Sequence, residues 1–344
     1  MDGSRSGFYI DRATTQESAN KWIIHLEGGG ECASEDRCKS IGVASNPLGS
    51  SKPWPAERSL GFYSHADCSI NPDYCTWNRV LLAYCSQDLH SGQRVTPSNE
   101  SWNLIFAGRE IFVSTVQALS EDYNMTLATD MILSGDSAGG IGVWHHLDDL
   151  ASKFPKARVT GAPIAGFYFF AHPYEGVNHT RCVSGLADFR EPAWPGHVAL
   201  WDSYMDQTCV AALGSSSGAC MLSNNSFPYI SSSVFVTQAQ TDQVVILYHD
   251  WMPEKDLLNA PEEAYLEDWH HNMTDVALHP IIASTTGKDG LFNAACFIHT
   301  GFFYDHPLIQ GVSYLQAHGN WYFKREGPAV LYDDCGILCN PKCT

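Results

Sequence analysis

Apolar positions along this chain follow two periods. Strand-length apolar runs at 8–10, 22–26, 79–84, 131–134 and 159–165 alternate with longer stretches whose apolar residues recur every three or four positions. In 103–123 these are Ile105, Ile111, Phe112, Val116 and Leu119; in 141–154 they are Val143, Leu147 and Leu150. Runs at 234–236 and 294–297 mark further strand ends. Short apolar strands separated by helices predict a parallel sheet covered on both faces, because the crossover helices bury each face. Two stretches break the alternation. Residues 31–78 are rich in Pro, Gly, Ser and Cys without a period and read as a loop excursion over one face of the sheet. Residues 168–230 read as a cap inserted into the same domain. The fold class is α/β, with a single domain over 1–344.

Where the run at 131–134 meets the helix pattern at 141–154, the chain reads Gly135-Asp136-Ser137-Ala138-Gly139. G-x-S-x-G between a buried strand and an amphipathic helix is a nucleophile elbow. Its glycines allow a turn tight enough to lift the serine hydroxyl above the carboxyl end of the sheet, at a helix N-terminus. The same letters resemble the Gly-Asp-Ser-Gly-Gly of chymotrypsin-like proteases. In those the serine comes last in the triad of an all-β chain, whereas more than half of this α/β chain follows Ser137, so that reading is refused.

A serine nucleophile needs a base, and the base a carboxylate that fixes its tautomer, in the chain order Ser, Asp or Glu, His. Of the 15 histidines, His299 stands at an apolar strand end, Ala295-Cys296-Phe297-Ile298-His299, whose cysteine can pin the loop. His249, His270, His271, His279, His306 and His318 lack that setting. His145 and His146, on the helix after the elbow, read as packing or surface groups. Asp242 follows the strand at 234–236 by a short loop, where the acid is expected; a helix N-cap is the alternative. The pattern predicts an α/β-hydrolase-like domain that cleaves esters through an acyl-enzyme, without metal or cofactor.

Composition adds the compartment and excludes some partners. Thirty-eight acidic residues against 20 basic ones give a net charge of −18, which repels nucleic acid and anionic membranes; a polyanionic partner needs a local basic patch. Twelve cysteines, spaced locally as Cys32/Cys38, Cys68/Cys75, Cys209/Cys220 and Cys335/Cys339/Cys343, predict cross-links and an oxidising compartment; the last run has a metal-site alternative. Five N-glycosylation sequons begin at Asn99, Asn124, Asn178, Asn224 and Asn272. Together these predict a secreted glycoprotein. The start at Met1 has no apolar signal segment, which suggests a mature or trimmed form, and no apolar run is long enough to span a bilayer. A monomer is expected.

These residues together resemble the pectin acetylesterase/Notum family of secreted serine carboxylesterases. The resemblance runs through Asp2-Gly3-Ser4 with Gly7-Phe8-Tyr9, and through Leu26-Glu27-Gly28-Gly29-Gly30-Glu31-Cys32. It continues in the stretch from Tyr84-Cys85-Ser86-Gln87-Asp88 to Gly92, the elbow, Thr241-Asp242-Gln243 and Cys296-Phe297-Ile298-His299. It implies Ser137 as nucleophile, Asp242 as orienting acid and His299 as base. It also implies an oxyanion hole from the N–H groups of Gly29, Gly30 and Ala138, in accord with the expected pairing of an upstream glycine loop with the residue after the nucleophile. Two departures matter. Glu31 stands where the family usually has an aromatic residue, implying a more polar or differently closed pocket mouth. Met1 stands where the family tends to carry a cysteine, leaving a partner thiol unpaired. The family's substrates are acetylated pectin or a fatty-acylated protein. Phe167, Tyr168, Phe169, Phe170, Phe302, Phe303 and Tyr304 read as core first and as the lining of an apolar acyl pocket second. A catalytically silent binding protein of this fold, or a secreted lipase or feruloyl-type esterase, are the competing readings.

Overall fold

The computed structural model describes residues 1–59, 61–175, 189–254 and 258–343. Eight strands form one sheet in the order β1-β3-β2-β4-β5-β6-β7-β8, where β1 is Phe8–Asp11, β2 Lys21–Leu26, β3 Asn78–Leu82, β4 Asp130–Asp136, β5 Arg158–Ile164, β6 Ser233–Asp242, β7 Gly290–Ile298 and β8 Val330–Tyr332. All neighbours pair in parallel except β1 with β3. Because side chains alternate across a strand, successive residues of the apolar runs supply two separate cores. Ile24, Leu26, Met131, Leu133, Val234 and Val236 join one core; Ile23, Ile132, Phe235 and Phe292 join the other. Continuous apolar runs therefore mean strands buried on both faces.

Helices α1 (Glu35–Ile41), α2 (Gly108–Asp122) and α3 (Ala138–Lys153) precede β5; α4 (Trp194–Trp201), α5 (Gln207–Leu213) and α6 (Ser223–Ser226) lie between β5 and β6. Helices α7 (Ala260–His271) and α8 (His279–Ser284) lie between β6 and β7, and α9 (Tyr314–Tyr322) between β7 and β8. Several boundaries differ from expectation. The helix expected from 103 starts at Gly108, after an isolated bridge of Phe106 with Arg94. The aperiodic stretch 31–78 contains α1, whose Cys38 and Ile41 are buried, and a 3-10 turn at Phe62–Ser64. In the stretch expected as a cap, α5 begins with an N-cap in which the Asp206 side chain accepts from Cys209 N.

Among the described residues, five disulfides join Cys32–Cys38, Cys68–Cys75, Cys209–Cys220, Cys335–Cys339 and Cys296–Cys343. All three cysteines of the terminal run are thus in disulfides, which removes the metal alternative for those thiols. Cys85 is a buried free thiol, and the Met1 amino group donates to the Cys85 carbonyl at 2.9 Å. Cys182 and Asn178 lie outside the described residues. Asn99 and Asn124 are exposed, and Asn224 and Asn272 half-buried. Among the described residues no helix is long and apolar enough to cross a membrane.

Candidate active site

Strand β4 ends at Asp136 and α3 starts at Ala138, so the whole turn falls on Ser137, at φ 53° and ψ −122°. A non-glycine residue in that region is strained, and the surroundings hold it there. Ser137 N donates to Ile164 O at 2.9 Å and Ser137 O accepts from Ile141 N at 3.0 Å. Gly139 packs directly on β2: a Cβ there would lie 2.0 Å from Leu26 O. The glycines of the motif are therefore required by close backbone approach.

The pairing of β6 with β7 sets Asp242 opposite Ile298, which brings His299 over the elbow. His299 Nε2 lies 2.7 Å from Ser137 Oγ, and His299 Nδ1 lies 2.9 and 2.8 Å from the two Asp242 oxygens. Asp242 is fully buried, and its carboxylate is saturated: Oδ1 accepts from Val244 N and Val245 N, and Oδ2 from Gln238 Nε2 at 3.0 Å. Gln238 is itself held by Phe167 N, which donates to its Oε1. Burial acts to lower the His299 pKa, but the charge and hydrogen bond of Asp242, with smaller contributions from Asp136 and Glu31, outweigh it and the net shift is upward. The geometry lets Nε2 take the serine proton while Asp242 holds Nδ1–H. Asp242 also accepts from the next turn's N–H groups, so the N-cap alternative describes a second use of the same carboxylate.

The glycine loop after β2 is fixed at nearly every residue. Glu27 pairs with Arg58 and accepts from Tyr84 N at 2.9 Å, and Glu27 O lies 2.9 Å from His90 Nε2. Gly28 N donates to Asp136 Oδ1 at 3.2 Å, an oxygen that also lies 3.0 Å from His25 Nε2. Gly29 O accepts from Gln87 Nε2, and Cys32 N donates to Gln87 O. Residues 84–92 are therefore a buried buttress. Within it Gln87, Leu89 and His90 all have positive φ, and Asp88 ties Ser86 Oγ and Gly108 N together. Among the described residues, the N–H groups of Gly29, Gly30 and Ala138 have no acceptor. Sequence reasoning missed Asp136, His25 and Gln238, because single polar residues inside strands carry no periodic signal.

Tyr168 is buried, and burial together with the nearby Asp242 and Glu31 charges pushes its hydroxyl pKa up. Glu31 is buried and lies 4.0 Å from His249 Nε2; the His249 ring stacks on Phe189 at 3.8 Å. Of the aromatic residues weighed for an acyl pocket, Phe167, Phe169 and Phe302 are core, Phe170 is half-buried, and Phe303 and Tyr304 are exposed. His145 and His146 are fully buried packing groups, and His146 stacks on Phe112 at 4.3 Å.

Comparison with known proteins bears on this geometry. The profile of the pectinacetylesterase family matches residues 1–344. The chain belongs to that family. As a pectinacetylesterase-family member it is a carboxylesterase, and the relatives fall in two groups. It is similar to pectin acetylesterase 5 of Arabidopsis thaliana, at 27% identity over 100% of this chain and 81% of that protein. It is also similar to the human palmitoleoyl-protein carboxylesterase NOTUM, at 26% identity over 99% of this chain and 70% of that protein. Its fold matches a crystal structure of the Wnt deacylase Notum from Drosophila, with a TM-score of 0.82 and 22% identity over 100% of this chain and 95% of the other.

Proposed function

We propose that the chain is a secreted acetylesterase that removes acetyl groups from the hydroxyls of a uronate-containing polysaccharide such as pectin. Ser137 Oγ attacks the ester carbonyl while His299 Nε2 takes its proton, and Asp242 holds the imidazole in the required tautomer. The N–H groups of Gly29, Gly30 and Ala138 hold the oxyanion. His299 then gives that proton to the departing sugar oxygen, which leaves as a hydroxyl. Water, deprotonated by the same histidine, attacks the acyl-serine and releases acetate. Five disulfides support an oxidising, extracellular location.

The observation that carries the acetyl choice is the match to pectin acetylesterase 5 over the whole of this chain and 81% of that protein, against 70% of the human NOTUM protein. An acetyl group needs only the space of one methyl. Hydrolysis of p-nitrophenyl esters from acetate to palmitate, with Ser137→Ala in parallel, and acetate release from acetylated galacturonan test the reading. The expected rate is highest for acetate and is lost in the variant. A maximum at palmitate, or full activity in Ser137→Ala, would refute it and favour the protein-deacylase alternative or a different nucleophile.

A further inference from the structure

A cavity of about 610 Å³ opens at the amino ends of β5, β6 and β7, the opposite end of the sheet from Ser137. Arg158 opens β5, Ser233 opens β6, Lys288 precedes Gly290 of β7, and Lys324 and Arg325 follow α9; all of them line this cavity. Four of the chain's 20 basic residues thus converge on one hollow, and no Asp or Glu is among its described lining residues, in a chain with 38 acidic residues. That segregation is the reverse of the background.

Three of the four cations are held in place from behind. The Arg158 guanidinium sits over the Tyr322 ring at 3.9 Å and donates to Tyr322 O at 2.7 Å. Lys288 Nζ donates to Ile230 O at 3.0 Å and Ser231 O at 3.2 Å. Arg325 pairs with Asp73 through both terminal nitrogens. Lys324 is exposed and makes no ion pair among the described residues. Allowing Asp73 to cancel Arg325, and the buried Asp289, 3.9 Å from Lys288, to cancel that lysine, Arg158 and Lys324 remain, and Arg158 has Asp130 as its cross-strand neighbour. Ser233 and Asn320 add neutral hydrogen-bonding groups.

We propose that this cavity is an accessory site for the carboxylates of the polysaccharide substrate, a uronate-binding anchor remote from the reaction. The inference rests on the polysaccharide reading above. It also accounts for how a chain of net charge −18 holds a polyanion: the attraction is local, and the cavity volume suits a sugar acid. Six residue steps separate the two ends of β4, so the anchor lies about 20 Å from the elbow along the strand direction. A polymer spans that distance; a small ester does not. Engagement at both sites raises the effective concentration of polymer at Ser137 and acts on KM rather than kcat.

The test compares wild type, Lys324→Glu and Lys324→Arg on acetylated galacturonan and on p-nitrophenyl acetate. Lys324→Glu is expected to raise KM for the polymer by roughly three- to ten-fold, as expected for reversing one exposed charge in a multi-charge site, with kcat and the small ester unchanged. Lys324→Arg retains the wild-type KM, and added salt raises the wild-type KM more steeply than that of Lys324→Glu. An unchanged polymer KM in Lys324→Glu, or an equal loss on both substrates, overturns the anchor. If wild type cleaves the small ester but releases no acetate from galacturonan, the polysaccharide reading fails. The anchor is then judged by oligogalacturonate binding to Ser137→Ala and Ser137→Ala/Lys324→Glu: weaker binding by the second supports it, and equal or absent binding sinks it.

Discussion

Asp136, the residue before the elbow serine, couples the two halves of the site. Its Oδ1 accepts from Gly28 N at 3.2 Å and lies 3.0 Å from His25 Nε2, so the glycine loop is tied to the end of β4. Asp136→Ala removes that tie. A hydrogen bond to a charged group contributes about 1.5–3 kcal/mol. If the loop's position matters only when the oxyanion forms, that loss appears in the transition state as a fall in kcat of roughly 10- to 100-fold with little change in KM. Asp136→Asn keeps an acceptor oxygen for Gly28 N–H and is expected to restore most of kcat. Asp136 also contributes to the raised His299 pKa. Activity requires neutral His299, so the acid limb of the rate profile lies above the ordinary histidine value, and both variants move it to lower pH. The assay is the pH dependence of p-nitrophenyl acetate hydrolysis, with melting temperatures to verify folding. A wild-type kcat in Asp136→Ala, or an Asn variant as slow as the Ala variant, would refute the positioning argument.

Other residues yield separate expectations. Gln238→Leu removes one of the two donors to Asp242 Oδ2, leaving His299 Nδ1; kcat is expected to fall about ten-fold, the size of one buried hydrogen bond, with the pH limb also displaced, and an unchanged profile would make Gln238 a packing residue only. Glu31→Gln removes a charge that raises the His299 pKa. Its acid limb should shift down in pH while acetate remains the preferred acyl group, as read in p-nitrophenyl ester profiles. Burial pushes the Asp250 carboxyl up to about 8, against the partly offsetting hydrogen bonds of Trp269 and Tyr265. Its folded pKa exceeds the unfolded one, so its contribution to stability is complete below the usual carboxylate range. That contribution is lost as pH rises toward 8, at up to about 1.4 kcal/mol per pH unit. Chemical denaturation between pH 5 and 8 should show a shallower decline in Asp250→Asn; parallel declines would contradict the assignment.

What the chain announces and what it conceals divide by physical cause. Strands β2 and β4 were legible because burial on both faces demands continuous apolar runs, and the elbow was legible because close backbone approach admits only glycine at 139. Asp242 and His299 came from strand-end position and family resemblance together, and the structure brings both to Ser137. Neighbouring cysteines in sequence announced three disulfides, but Cys296–Cys343 spans 47 residues and no spacing rule reaches it. Nothing marked α9, β8 or the basic cavity, because residues from three strand starts and one helix end converge there only after the sheet is assembled. Glu31 was visible as an odd residue, but its burial was not.

The Tyr84 to Gly92 segment shows why a loop outside the reacting residues can be as demanding in sequence as the elbow. An oxyanion hole requires N–H groups that are unpaired yet immobile, and an unpaired backbone group in a free loop would turn to water or to another carbonyl. Here the loop is held instead by its other atoms: Glu27 through its carboxylate and carbonyl, Gly28 through its N–H, Gly29 through its carbonyl, and Cys32 through its N–H and disulfide. Each of these contacts except that of Gly28 and the disulfide ends on the buttress, and the buttress accepts three non-glycine residues at positive φ to reach them. Strain of about 1–3 kcal/mol per residue persists only when surrounding contacts over-determine it. Asp88, Tyr84 and Ser91 supply those contacts through Gly108 N, Leu89 N and Ser203 Oγ. Stored strain in 84–92 and the vacant donors of Gly29 and Gly30 are thus two sides of one construction, the arrangement that the proposed oxyanion hole requires.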